Sequence, residues 1–404
     1  MKRTLAYILP LLMLLSCAGF EENPYGSTLC SFTVEAAYPE GYSSREGVAV
    51  KLENINLGYA YTEFTDASGV AEFLVPTGLY RLNVSDRNGE DIFNGAADRI
   101  DVSADSSLKL ALKHSKAGTI VIKEIYCGGC KKLPEEGTYQ SDQYIILHNN
   151  DVEVQYLDGL CIGTLHPYNS TGSNPWTSKD AATGETIFPD FLPIAQAIWQ
   201  FPGSGTDFPL ESGEDVVICL RGAIDHSAQY PLSVNLNREG YFVCYNSTYF
   251  TNTTFHPAPG SNISQDHYLD VVIKTGKANA YTFSTSSPAV VIFRAKGMTI
   301  AEFVASEGSI RQTPGDSNNP VTAIPAEWTV DAVEVFNGGS SINSKRLSPT
   351  LDAGYVAQSE SFLGHTLMRR VDEELTQSSG FEVLMDTNNS SEDFYESEKQ
   401  SLHE

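Results

Sequence analysis

Between Ser31 and Lys113 turn residues cut the chain into short alternating runs, and that rhythm leaves little room for anything but a β-sandwich. Residues 31–36, 47–52, 59–65, 70–74, 79–84 and 108–112 read as strands. Period two places alternate side chains on one face, so each run offers one apolar face to a core. Asp66-Ala67-Ser68-Gly69 and Pro76-Thr77-Gly78 read as turns. An Asp bonds its own backbone there, and a Gly accepts positive φ.

The order of these pieces is specific. Gly47 to Leu52 reads G-V-x-V-x-L, Thr65 to Phe73 reads T-D-x-x-G-x-A-x-F, and Pro76 to Val84 reads P-x-G-x-Y-x-L-x-V. The series resembles the transthyretin-like, carboxypeptidase-regulatory-like sandwich, here spanning 31–113. That resemblance implies a spacer or adhesion module with no catalytic residues of its own.

The larger region, 117–396, opens with an apolar strand, Thr119 to Tyr126, followed by Cys127-Gly128-Gly129-Cys130. Residues 142–150 read as a strand ending in Asn149-Asn150, and Val152 to Leu157 as a strand before Asp158-Gly159. Leu210 to Ile218 reads as a loop before a buried strand, and Trp328 to Asn337 repeats the strand ending at Asn149. The succession resembles the lamin-tail type of immunoglobulin-like sandwich. The expected fold is therefore all-β, a transthyretin-like sandwich followed by a larger lamin-tail-like one. As a whole the chain resembles an uncharacterised Bacteroidetes outer-membrane lipoprotein family, a domain of unknown function. Such proteins are usually encoded near TonB-dependent transporters. Polar stretches 169–175, 200–209 and 313–320 read as loops, where binding surfaces commonly lie. Phe191 to Gln200 reads as a short helix, because Ile194, Ala195, Ile198 and Trp199 would share a face. Residues 397–404 read as a polar, frayed tail.

The first residues fix an address. Lys2 and Arg3 precede an apolar run from Leu5 to Leu15 that is too short for a permanent span of about 20 residues. It ends in Leu14-Leu15-Ser16-Cys17, which resembles the bacterial lipobox. The resemblance implies a signal peptide over 1–16, cleavage before Cys17 and lipidation of that cysteine. Each buried methylene of an acyl chain contributes roughly 0.8 kcal/mol, so two or three chains anchor a protein firmly. Residues 17–30 form the tether. Glu21 and Glu22 resemble the surface-export signal of Bacteroidetes lipoproteins, which implies the cell-surface face of the outer membrane rather than the periplasmic face.

A formal charge of −25 over 404 residues argues against nucleic acid, whose phosphates need clustered Lys and Arg. At 19% charged and 41% hydrophobic the chain is not of the disordered class. Its 20 Tyr, 19 Phe and 32 Gly favour strands and turns.

Chemistry-bearing motifs are sparse. Cys127 and Cys130 form a C-x-x-C that suits a disulfide or thiol pair, a metal site or redox exchange. Lys131-Lys132-Leu133-Pro134 does not start the helix that a redox motif uses, and no second ligand pair for zinc lies nearby. With Cys17 lipidated, Cys30, Cys127, Cys130, Cys161, Cys219 and Cys244 remain, and their pairing is not legible in sequence. The histidines are scattered without H-E-x-x-H, and there is neither a nucleophile elbow nor a phosphate loop. Asp386, Asn388 and Ser390 have alternate spacing but lack the Gly and Glu of a calcium loop, which leaves a polar turn. Trp176, Trp199, Phe201 and Phe208 flank polar loops and are the candidate ligand-facing aromatics, although aromatic side chains mostly fill cores. No catalytic residue or cofactor is expected.

The resulting expectation is a membrane-anchored, non-enzymatic ligand-capture or accessory partner of a TonB-dependent transporter. The alternatives are an adhesin or structural module binding polymer or host glycan, and a hydrolase whose site is assembled from distant residues.

Overall fold

A computed structural model describes residues 28–89 and 91–403. The signal segment, Cys17 and the tether through residue 27 lie outside the described residues. The fold is all-β, with a handful of helical turns.

The described residues up to 116 supply two sheets. One orders Ala60–Phe64, Ala49–Asn54, Gly78–Asn88, Asp91–Val102 and Lys113–Lys116; the other orders Val70–Pro76, Leu29–Ala37 and Ser106–Ala111. Their alternation is the sequence's own: every second residue of Ala49–Asn54 is buried, and Phe32, Val34, Val50, Leu52, Phe73, Tyr80 and Leu82 share one core. Asp66 Oδ1 accepts from the backbone N–H groups of Ser68 and Val70 at 2.8 and 3.0 Å, and Gly69 turns at φ +80°. Strand Asp91–Val102 had no counterpart in the sequence reading, because its apolar residues do not alternate.

The larger region is a sandwich of two broad sheets. One runs Phe242–Val243, Asp215–Cys219, Tyr144–Asn149, Ile120–Tyr126, Thr366–Arg369, Phe394–Ser397. The other centres on Phe191–Gln200, Cys161–Leu165, Ala289–Phe293 and Thr329–Asn337. Ile122, Ile145, Leu147, Ile162, Trp199, Ile292 and Val333 fill the space between them. The outer faces are covered too. Helix Ile300–Ala305 and Trp328 pack behind one sheet, and a loop-rich segment bearing Val234, Leu236 and Ile263 packs behind the other. Burial on both faces explains why these strands read as continuous apolar runs.

Three expectations are corrected. Phe191–Gln200 is a strand paired with Cys161–Leu165, Asp270–Lys274 and Asp316–Pro325, not a helix. Ile194 and Ile198 pack on one side and Ala197 and Trp199 on the other, so two buried faces imitate one helical stripe. Positive φ at Gln196 (63°) breaks the alternation further. Residues 313–320 are not a loop but the turn and start of a hairpin joining Ile310–Thr313 to Asp316–Pro325. The last residues do not fray: Phe394–Ser397 pairs with Thr366–Arg369, Gln400 is buried, and the Ser401 backbone N–H reaches Glu124 Oε1 at 3.2 Å. Glu124 is fully buried and needs those donors, which also include the Tyr144 hydroxyl at 2.6 Å and Thr366 Oγ1 at 2.9 Å.

Segment 386–393 clasps the two sandwiches together. Asn94 Nδ2 donates to the Thr387 carbonyl at 2.6 Å, Asn389 Nδ2 to Asn83 Oδ1 at 3.1 Å, and Lys51 pairs with Glu392. The polar turn expected at Asp386 is built around an internal cation. Arg369 lies among Asp331 (2.6 Å), Asp386 (3.3 Å) and Asp393 (3.5 Å), all buried. A guanidinium thus occupies the place that a calcium ion would need.

Candidate functional site

The C-x-x-C segment explains itself once its glycines are examined. A Cβ on Gly129 would lie 2.1 Å from the Tyr139 carbonyl oxygen, and φ there is +73°. The Gly128 and Gly129 carbonyls accept from the N–H groups of Phe362 and Gly364, both at 3.0 Å. Cys127 and Cys130 are buried free thiols that turn to different partners: Cys127 Sγ to Gln358 Oε1 at 3.0 Å, Cys130 Sγ to Asp142 Oδ2 at 3.7 Å. Burial pushes both thiols up to about 12, opposite to the depressed pKa of a reactive cysteine. The motif is a tight structural turn. Cys30, Cys161, Cys219 and Cys244 are likewise buried free thiols.

That turn also supports a cleft. Gln358 Nε2 donates to the Thr285 carbonyl at 2.7 Å. Gln143, fully buried, donates to the carbonyls of Cys127 (2.6 Å) and Phe283 (3.1 Å) and accepts from Thr282 Oγ1 (2.8 Å). These two amides replace strand pairing along 282–285 and hold that segment as a wall. It borders a cavity of about 460 Å³, whose lining includes Gln140, Tyr168, Arg221, Phe255, Asn279 and Thr282. A second lobe of about 240 Å³, with His166, Gln196 and Lys277, meets the first at Tyr168 and Ala278. The first volume is in the range of small-ligand sites.

Arg221 dominates the electrostatics. It is only 3% exposed. Its Nη1 donates to the Gln140 carbonyl at 2.9 Å and its Nε to the Phe255 carbonyl at 3.3 Å, while the guanidinium lies 5.1 Å from the Phe255 ring centroid. Among the described residues no carboxylate lies within ion-pair distance of it, although the buried Asp142 attracts it from farther off, and Nη2 makes no hydrogen bond. Burial holds its pKa below the usual guanidinium range. No Asp or Glu lines either lobe, in a chain carrying 51 acidic residues. Burial also raises the Tyr168 phenol and lowers the His166 imidazole. Lining hydroxyls such as Thr282 have neither a histidine nor a carboxylate in the same lobe to activate them.

The aromatics singled out in the sequence do not face this cleft. Trp199 and Phe201 are 0% and 1% exposed within the central core and cannot meet a ligand. Trp176 is half-buried, its Nε1 donating to His166 Nδ1 at 3.0 Å and its ring edge-on to Phe191. Phe208 packs edge-on against Phe242 and His267. Sequence reasoning missed Arg221, Phe255 and Tyr168, which lie far apart in the chain and carry no motif. A lone Arg after the buried strand Asp215–Cys219 was the available signal.

Comparison with known proteins places this architecture. Residues 211–401 match DUF4876, a family described as a protein of unknown function. A solved DUF4876 family protein from Bacteroides thetaiotaomicron is 25% identical, with a TM-score of 0.58 over 90% of this chain and 94% of that one. The DUF4876 stretch includes Arg221, Phe255 and the 278–286 wall, whereas Gln140 and Tyr168 come from before it. A DUF3823 family protein from Parabacteroides merdae (10% identity, 40% of this chain and 79% of that one, TM-score 0.18) carries no structural argument. Nor does a streptococcal ancillary pilin (10%, 47% and 57%, TM-score 0.17). No curated protein matches the chain. Among the described residues no helix is long and apolar enough to cross a membrane, which says nothing of β-barrels.

Proposed function

We propose that this chain is a non-enzymatic capture protein, anchored by lipid at Cys17 on the cell-surface face of the outer membrane. In this reading a transthyretin-like module stands next to the lipid, and the larger sandwich offers a small molecule to a TonB-dependent transporter. The observation that carries the reading is the cleft between Tyr168 and Arg221: a small-ligand volume, no lining carboxylate, and a buried guanidinium with no carboxylate in ion-pair contact among the described residues. A guanidinium held on two backbone carbonyls, with Nη2 free of any hydrogen bond within the described residues, offers an anionic ligand a charged donor in a mostly buried setting. The lining also fits capture better than hydrolysis, because it offers hydrogen bonds without an activated nucleophile.

The test is purification of the natively lipidated protein from its own outer membrane. Native mass spectrometry would read bound small molecules, peptide mass spectrometry the modification of Cys17, and co-purified proteins the partner. A retained small molecule together with a barrel transporter is the expected result. A ligand-free protein that instead binds polymer would replace capture with adhesion.

A further inference from the structure

The chemistry of the cleft narrows the ligand, and the argument rests on the capture reading above. We infer that the cleft takes a hydroxyl-rich ligand bearing one carboxylate, that is, a sugar acid of the uronate class.

Four observations lead there. Arg221 is the single charged residue lining the larger lobe, so it matches one negative charge rather than two. Two of its nitrogens are fixed on backbone carbonyls and Nη2 is left over, in a planar group suited to a carboxylate edge. The remaining polar lining is neutral: Gln140, Asn169, Asn279, Thr285 and Ser286 carry donors and acceptors, and Thr282, its proton given to Gln143, can accept, which suits vicinal hydroxyls. Phe255, 40% exposed, carries the guanidinium against its ring and presents an aromatic surface at the mouth, where the C–H face of a pyranose can stack.

The same facts disfavour the other anions. An amino acid would bring an ammonium group, and no carboxylate lines the cleft to receive it. A phosphate ester or inorganic phosphate carries about two charges at pH 7 against the single guanidinium of the larger lobe, while Lys277 of the adjoining lobe is turned to Asn318 Oδ1 at 2.8 Å. A fatty acid would bury its chain against amides and hydroxyls. An extended polyanion would meet a protein of net charge −25.

The decisive comparison leaves the protein unaltered. The mature chain is titrated calorimetrically with D-glucuronate and D-galacturonate, then with D-glucuronamide, which keeps the ring and hydroxyls but not the charge. D-glucose, glycine and inorganic phosphate complete the series. Binding of one uronate at least tenfold tighter than the amide, glycine and phosphate is expected. Arg221→Gln should bring uronate down to the level of the amide. If that variant does not fold, the uronate–amide pair on the natural chain decides alone. Equal binding of uronate and amide overturns the inference, as does a preference for phosphate or glycine. If no member of the series binds while native mass spectrometry retains some other molecule, the sugar-acid inference fails and capture stands. If nothing binds and nothing is retained, both fail.

Discussion

Replacing Arg346 by Met tests whether the wall behind the cleft depends on a buried ion pair. Arg346 and Glu334 are both 0% exposed at the side chain. Glu334 Oε1 accepts from Arg346 Nε at 2.8 Å and Nη2 at 2.6 Å, and Oε2 from the backbone N–H groups of Arg346 and Leu347 at 2.6 and 2.9 Å. Arg346 also donates to the carbonyls of Pro167 (3.1 Å), Ser287 (2.8 Å) and Val335 (3.0 Å), tying the strand to the loop that carries Tyr168. The Met variant keeps much of the volume but leaves a desolvated carboxylate with two of its four donors. Breaking a buried pair in this way costs about 3–5 kcal/mol, and the three stranded carbonyls push the loss toward the upper end. Removing both charges, with Glu334→Leu added, should recover most of the loss. The assay is urea unfolding followed by tryptophan fluorescence. All three tryptophans, Trp176, Trp199 and Trp328, belong to the larger sandwich, so the signal reports that unit alone. The exposed contact of Lys179 Nζ with Thr186 Oγ1 at 2.7 Å, in the same sandwich, is the control, and Lys179→Ala should change little. A loss under about 1 kcal/mol for Arg346→Met, or a double variant worse than the single, would refute the argument from desolvated charge.

Other consequences can be checked singly. His256 is buried among Tyr245, Phe250 and Trp199, and burial holds its pKa down to about 4. The unfolded imidazole takes a proton near pH 6.5 while the folded one does not, so its contribution is intact above that pH. It falls away toward pH 4, by about 3 kcal/mol. In an NMR titration its ring resonances should stay flat from pH 8 to about 5. Asp331 and Asp393, raised by burial against the pull of Arg369, act in the opposite sense and favour the fold at lower pH. Tyr281 is fully buried with a hydroxyl that has no hydrogen-bond partner among the described residues, so Tyr281→Phe should raise the urea midpoint by the equivalent of about 1 kcal/mol; a clear loss would show an unrecognised bond. Gly129→Ala should cost about 2–4 kcal/mol, because the new Cβ meets backbone at positive φ. At Gly240, where φ is also positive but nothing lies within 4 Å, the same change should cost only about 1 kcal/mol in the same assay.

The sequence by itself determined the all-β class and most strands of the first sandwich, though not Asp91–Val102, because a sheet with one solvated face writes its period into the chain. Thr119 to Tyr126, Asp215 to Cys219 and Thr329 to Asn337 were legible for a different reason: unbroken apolar runs of strand length. The same property concealed Phe191–Gln200, whose two buried faces and kink at Gln196 copied a helical stripe. Local chemistry likewise displayed Cys127-Gly128-Gly129-Cys130 as a site, although its glycines are required by the Tyr139 and Gln358 contacts rather than by any reaction of the thiols. The tertiary structure alone decided the cleft. Arg221, Tyr168, Phe255 and Asn279 span more than a hundred residues of chain, and Gln143 and Gln358 set their wall through side-chain bonds to backbone. Arg221 acquires its role only from what packs around it, two backbone carbonyls and the Phe255 ring with no carboxylate in ion-pair contact, and that is a fact of three-dimensional packing.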